Sequence, residues 1–139
     1  SRNAAMAIKL GGQGNVTDTH VLWKYEKSLP DVPSPLVYNG VGRRICRVHL
    51  LTPLDPKTGK VLKQGRLTGA LEDYYASPVA ADGKIYIASE HGKVVVLRAA
   101  GDWEVLAIND FDTEIYATPA LVNGTIYLRT AHTLYAIHP

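Results

Sequence analysis

Three short phrases with the same chemistry recur along this chain, and they restrict its fold more than any other feature. Ser34-Pro35-Leu36-Val37-Tyr38-Asn39-Gly40 is followed by Ser77-Pro78-Val79-Ala80-Ala81-Asp82-Gly83 and then by Thr118-Pro119-Ala120-Leu121-Val122-Asn123-Gly124. Each is a hydroxyl residue, a proline, three mostly apolar residues and an Asn-Gly or Asp-Gly pair. Pro35, Pro78 and Pro119 keep a near-constant spacing, and the turn glycines Gly40, Gly83 and Gly124 keep the same one. A regular period of this kind marks a repeat architecture, in which each unit buries its apolar face on the next.

The phrase predicts local structure. Asn-Gly and Asp-Gly supply the two positive φ angles of a type I′ hairpin turn. Short apolar strands follow two of the three turns, at Lys84–Ile87 and Thr125–Leu128. A second turn comes at Glu90-His91-Gly92 or near Ala131-His132, then a third strand at Val94–Leu97 or Leu134–Ile137; the earliest copy has Leu50–Leu54. Fourth strands are expected around Lys60–Leu62 and Trp103–Leu106, and the N-terminal Ala7–Leu10 and Val21–Tyr25 read as the third and fourth strands of one more unit. No segment keeps a helical period over three turns, which argues against a helical solenoid. Four short strands in a period of roughly 40 to 45 residues is the arithmetic of a β-propeller blade. The expected fold is all-β, with blades of four antiparallel strands in a partial ring of about three. Residues 1–30 end one blade, 31–69 and 70–110 are whole blades, and 111–139 form an incomplete one.

Two segments carry a resemblance. Asp82-Gly83-Lys84-Ile85-Tyr86-Ile87-Ala88-Ser89 with its following Gly turn, and Leu54-Asp55-Pro56-Lys57-Thr58-Gly59-Lys60, resemble the pyrroloquinoline-quinone-like (quinoprotein-like) propeller repeat. The second matches that family's Asp-x-x-Thr-Gly-Lys turn between third and fourth strands. The resemblance covers nearly the whole chain and implies fold more than function. The family includes quinone-dependent dehydrogenases, periplasmic lipoproteins that assist outer-membrane protein assembly, and many bacterial propellers without an assigned role. It implies a periplasmic or extracellular bacterial setting. One stretch departs from the repeat: Val41-Gly42-Arg43-Arg44-Ile45-Cys46-Arg47-Val48-His49 replaces the apolar-Tyr-apolar strand, and a lone Arg44 between blades is costly to bury without a partner.

Candidate chemistry is sparse. The resemblance to quinone enzymes brings no calcium carboxylates, catalytic aspartate or ring-stacking residues, and Val61-Leu62 stand where those repeats often place a Trp. The reading is therefore a non-catalytic binding or scaffold module without a cofactor, with a fragment of a quinone-dependent dehydrogenase as the alternative. Ser77 in Ala76-Ser77-Pro78 is no nucleophile elbow, and Ser34 and Thr118 assign its hydroxyl to the repeat as a backbone partner at a strand start. Gly11-Gly12-Gln13-Gly14 lacks the Lys-Ser/Thr ending of a phosphate loop and reads as a strand connection. His91 and His132 occupy equivalent turns one period apart; exposed turn positions fit them better than a shared metal. The single Cys46 excludes an internal disulfide and a multi-cysteine zinc site.

Asp73-Tyr74-Tyr75-Ala76 aligns with Glu114-Ile115-Tyr116-Ala117, so an acid and a tyrosine recur at the repeat period. The connection between blades lies on one face near the channel mouth. Asp73, Tyr75, Glu114 and Tyr116 are thus the candidate ligand-binding residues, for a cation, sugar or peptide; packing of these tyrosines between blades is the alternative.

Charge and hydropathy bound the partners. A net charge of +2, from 15 basic and 13 acidic side chains, gives no field for nucleic acid. No apolar run approaches the length a membrane-spanning helix needs, so no span is expected, and Ser1–Met6 do not read as part of a leader. Three or so blades cannot close a ring: either these residues are an excerpt of a longer propeller, or the open edges of the chain on its own predict self-association. The fourth strand of the last blade is open to Val21–Tyr25 of another copy, although Ala7–Leu10 would then be surplus.

Overall fold

The computed structural model describes residues 4–27, 29, 32–38, 41–43 (their backbone) and 50–139. Thirteen short strands and one helical turn are formed among them. In chain order they are β1 (Ala5–Ile8), α1 (Thr17–His20), β2 (Val21–Tyr25), β3 (Leu36–Tyr38), β4 (Val41–Arg43), β5 (Leu50–Leu51), β6 (Gly65–Arg66), β7 (Val79–Ala81), β8 (Lys84–Ala88), β9 (Lys93–Arg98), β10 (Val105–Asp110), β11 (Ala120–Val122), β12 (Thr125–Arg129) and β13 (Leu134–Ile137). No helix among the described residues is long and apolar enough to cross a membrane.

All pairings are antiparallel. β7, β8, β9 and β10 form one complete four-stranded blade, and β11, β12 and β13 form a three-stranded one. β3 pairs with β4, β5 with β6, and β1 with β2. The fold class is therefore as expected: all-β, with blades in a partial ring. The expected turn chemistry is present in both later blades. Asp82 and Gly83 have φ of 49° and 69°, Asn123 and Gly124 have 48° and 78°, and each pair joins adjacent strands as a type I′ turn does. The Asn39-Gly40 turn and Arg44 fall outside the described residues; β4 shows that the chain after that turn does pair with β3, from Tyr38↔Val41 to Leu36↔Arg43.

The outer strand β2 lies where expected, but the other two outer strands differ. Val105–Asp110 replaces Trp103–Leu106, and Trp103 instead lies in the turn before it. Around Lys60–Leu62 only a single bridge forms, Leu54↔Val61, and the outer strand resumes at β6. The reason is a bulge shared by three units. The pairs Ile8↔Val21, Leu54↔Val61 and Leu97↔Val105 are each followed by a step that places one extra residue on the outer strand. A bulge of this kind bends and twists the strand, which pairing arithmetic from sequence does not foresee. β1 likewise begins earlier than expected, at Ala5 rather than Ala7, and Leu10, an expected strand residue, is solvent-exposed in the connection to β2.

Alternation builds the core. Ile85 and Ile87 of β8 and Val95 and Leu97 of β9 point to one face, where they bury against Leu51, Leu67, Ala70, Tyr74 and Trp103. Val94 of β9 points to the other face and packs with Ala76, Ala88, Ile115 and Leu128. A blade held between two neighbours needs apolar residues on both faces, and so β9 reads as a continuous apolar run.

Side chains on the outer strands tie neighbouring units together. Trp23 of β2 donates its Nε1–H to the Pro56 carbonyl at 2.9 Å, in the turn of the next unit. Lys63 stands after its bulge valine as Trp23 stands after Val21, and donates Nζ to the carbonyls of Asp102 and Trp103 at 2.9 and 2.8 Å. The same ammonium lies 4.5 Å from the Trp103 ring centroid. Asp55 organises the intervening turn, accepting the N–H groups of Lys57 and Thr58 at 2.8 and 3.0 Å. Those two amides hold its carboxyl below the usual carboxylate range.

Candidate functional site

The site is assembled by backbone hydrogen bonds that repeat with the blades. The Glu90 N–H donates to the Asp73 carbonyl at 2.8 Å, and the Ala131 N–H donates to the Glu114 carbonyl at 2.9 Å. The two bonds span the same sequence separation and lie one period apart. They fasten each blade's entering connection to its own second turn. The Ile115 N–H then donates to the Glu90 carbonyl at 3.0 Å, which ties the next connection to the same turn. Glu90 is thus the backbone hub between the two acid–tyrosine segments.

Gly92 makes this close approach feasible. Its φ is +97°, and a Cβ there would collide with the Thr113 carbonyl. The turn is further held by Ser89, whose hydroxyl donates to a Glu72 carboxylate oxygen and accepts the Lys93 N–H at 2.9 Å. Lys93 Nζ closes the cluster with a 3.0 Å ion pair to Glu72. Ser89 is fully buried, so this trio is a structural clasp rather than an accessible nucleophile.

Tyr75 and Tyr116 meet across the blade junction, with ring centroids 5.6 Å apart and planes at 53°. Tilted aromatic pairs of this kind match the positive edge of one ring to the negative face of the other. Tyr75 is half-buried, whereas Tyr116 is 52% exposed. The Tyr116 hydroxyl donates to Glu90 Oε1 at 2.8 Å. That bond to a carboxylate, with partial desolvation and the nearby charges of Glu90 and Glu114, pushes its pKa up to about 12. The preceding Tyr74 behaves differently. It is buried in the core, donates its hydroxyl to the Ala70 carbonyl at 2.7 Å, and has its pKa raised by burial.

The structure therefore brings Tyr75, Tyr116 and Glu90 together, with Glu114 close enough for its charge to act on Tyr116. Asp73 joins through its carbonyl, and the carboxylates of Asp73 and Glu114 make no hydrogen bond or ion pair among the described residues. Sequence reasoning passed over Glu90. Its equivalent in the next blade is Ala131, so the periodicity that marks the other residues gives no signal there.

Other candidates take simpler places. Ser77 Oγ accepts the Ser34 N–H at 2.9 Å, and Thr118 Oγ1 accepts the Ser77 N–H at 3.0 Å, so the repeated hydroxyls are backbone partners as the repeat implied. His91 and His132 are exposed turn residues. Gly11, Gly12 and Gly14 all have positive φ in the connection between β1 and β2. Among the described residues, no three His, Cys, Asp or Glu side chains are grouped to hold an ion.

Among solved structures, this fold is similar to that of BamB from Moraxella catarrhalis, with a TM-score of 0.68 and 18% identity over 84% of this chain and 36% of that one. It is similar to quinohemoprotein alcohol dehydrogenase from Comamonas testosteroni, with a TM-score of 0.57 and 14% identity over 73% of this chain and 17% of that one. The computationally designed Ika8 protein is also similar, with a TM-score of 0.67 and 12% identity over 86% of this chain and 36% of that one. The chain spans about a third of the length of BamB and a sixth of that of the dehydrogenase. No family model matches the sequence, and no curated protein does. The fold these similarities show is that of β-propeller blades, present here as a partial ring.

Proposed function

We propose that this chain is a non-catalytic propeller segment, with blade boundaries near residues 30, 69 and 110, that binds a protein or small ligand on the acid–tyrosine arc. The observation that carries the reading is the Tyr75–Tyr116 pair beside Glu90, with Tyr116 half open to solvent and the Asp73 and Glu114 carboxylates uncommitted. Repeated backbone bonds hold these groups on a rigid frame, the arrangement expected of loops that bind. A periplasmic or extracellular setting, and self-association through exposed blade surfaces, belong to the same reading; the setting rests on the repeat resemblance alone.

Quinone-dependent chemistry fits less well. A quinone held with calcium needs a grouped set of carboxylate and carbonyl oxygens. Among the described residues, no three His, Cys, Asp or Glu side chains are grouped to supply the carboxylates. We therefore assign no step to that cofactor.

Binding to an array of peptides and glycans, compared between the wild-type chain and a Tyr75→Ala/Tyr116→Ala variant, tests the proposal. The account expects a subset of signals that the variant loses. Identical patterns for both proteins would remove the arc from consideration.

A further inference from the structure

At the Asp-Gly and Asn-Gly turns, one blade-to-blade contact is made in the first junction and missing from the second. Tyr38, Ala81 and Val122 hold one register position, because each pairs across its turn with the residue after the glycine: Tyr38↔Val41, Ala81↔Lys84 and Val122↔Thr125. Tyr38 reaches across to the next blade, where its hydroxyl oxygen accepts the Gly83 N–H at 3.1 Å. The hairpin pairs Ala81 with Lys84 and leaves that glycine amide for the phenol.

One junction further, the reaching side chain is only a methyl group. Where Tyr38 would be repeated stands Ala81, and a cleft of about 190 Å³ opens there. Its walls include Ala81, Asp82, Tyr86, Val122, Gly124 and Ile126, all from the first two strands of two adjacent blades and the turns between them. The Gly124 N–H, the counterpart of the amide that Tyr38 takes, has no hydrogen-bond partner among the described residues. The exchange of tyrosine for alanine inside the chain thus accounts for both the cleft and the free amide. Sites for drug-sized ligands run to roughly 300–1,000 Å³, so this smaller cleft suits one ring on a side chain.

We infer that the cleft between the Asp82-Gly83 and Asn123-Gly124 turns binds a tyrosine side chain of a partner, its hydroxyl oxygen accepting the Gly124 N–H. Tyr38 is the template: it presents the same phenol, from the same register position, to the equivalent amide one junction earlier. Tyr86, Val122 and Ile126 give the ring apolar contact, and the amide tells a phenol from a plain phenyl ring by one hydrogen bond. The cleft lies at the Lys84 end of β8, whereas the Glu90 turn and the acid–tyrosine arc lie beyond its Ala88 end. It is therefore a second site, on the opposite side of the blades from the arc.

Amide NMR of the wild-type chain, titrated with N-acetyltyrosinamide and separately with N-acetylphenylalaninamide, tests this. The tyrosine compound should shift the Gly124 amide saturably, and the phenylalanine compound should bind roughly threefold or more weakly, the worth of one neutral hydrogen bond. Ala81→Tyr fills the cleft from within, as Tyr38 fills its own. That variant should lose the response to the added compound and should exchange its Gly124 amide hydrogen more slowly than the wild type. No saturable shift at Gly124 in the wild type, equal affinity for the two compounds, or undiminished binding in a folded Ala81→Tyr chain would each overturn the inference. The wild-type titration decides the matter even if Ala81→Tyr does not fold. A Tyr75→Ala/Tyr116→Ala chain should keep the Gly124 response, so this site and the arc fail separately.

Discussion

Thr118 Oγ1 accepts the backbone N–H of Ser77 across a blade junction, and Ser77 Oγ accepts that of Ser34 in the same way. The repeated hydroxyl is thus a rung in a ladder running around the propeller. Thr118→Val keeps the shape and removes the acceptor, and should cost about 0.5–1 kcal/mol, because the freed N–H regains water. Thr118→Ser should be neutral within about 0.5 kcal/mol. Urea unfolding of both variants checks this.

Gly92 and Gly124 both have positive φ, yet their substitutions should differ. A Cβ at Gly124 meets open space, whereas one at Gly92 collides with the Thr113 carbonyl. Gly124→Ala is expected to cost about 1 kcal/mol from backbone conformation alone. Gly92→Ala should cost at least about 2 kcal/mol more, since backbone must shift. Thermal unfolding of the two variants gives the comparison directly.

The repeating parts of this fold were legible in sequence because they reuse one solution. Asp82-Gly83 and Asn123-Gly124 need positive φ, and no common alternative supplies it. The hydroxyls, prolines and acid–tyrosine pairs recur for the same reason. Features that break the period were not legible. Glu90 has no repeated counterpart, and Lys63 and Trp23 do the same latching with different chemistry. Of the outer strands, Val21–Tyr25 was placed as found, whereas those expected at Lys60–Leu62 and Trp103–Leu106 were misplaced by a few positions, because a bulge leaves no composition signal.

The Lys63 latch should outweigh a surface ion pair. Lys63 bonds two carbonyls of the next blade's turn and covers Trp103, whereas Arg98 and Glu104 pair at 3.1 Å in an exposed position. Lys63→Met is expected to cost about 1–2 kcal/mol. Glu104→Gln should cost no more than about 0.5 kcal/mol, less at high salt. Denaturant titrations at two salt concentrations test both.

Tyr116 should titrate late. Free tyrosine ionises near pH 10, so the unfolded chain loses this proton before the folded chain does at about 12. The folded state binds more protons in that window, and the contribution is intact below about pH 10 and lost as pH rises toward 12. Tyrosinate absorbance of the wild type and Tyr116→Phe should differ by one late-titrating group. A difference centred near pH 10 would show that the Glu90 bond is absent in solution.

The central claim is that these blades bind without quinone chemistry. Titration with pyrroloquinoline quinone and calcium, followed by calorimetry and by alcohol-dependent dye reduction, tests it most directly. The account predicts neither saturable binding nor dye reduction. Stoichiometric binding with alcohol-dependent reduction of the dye would contradict it.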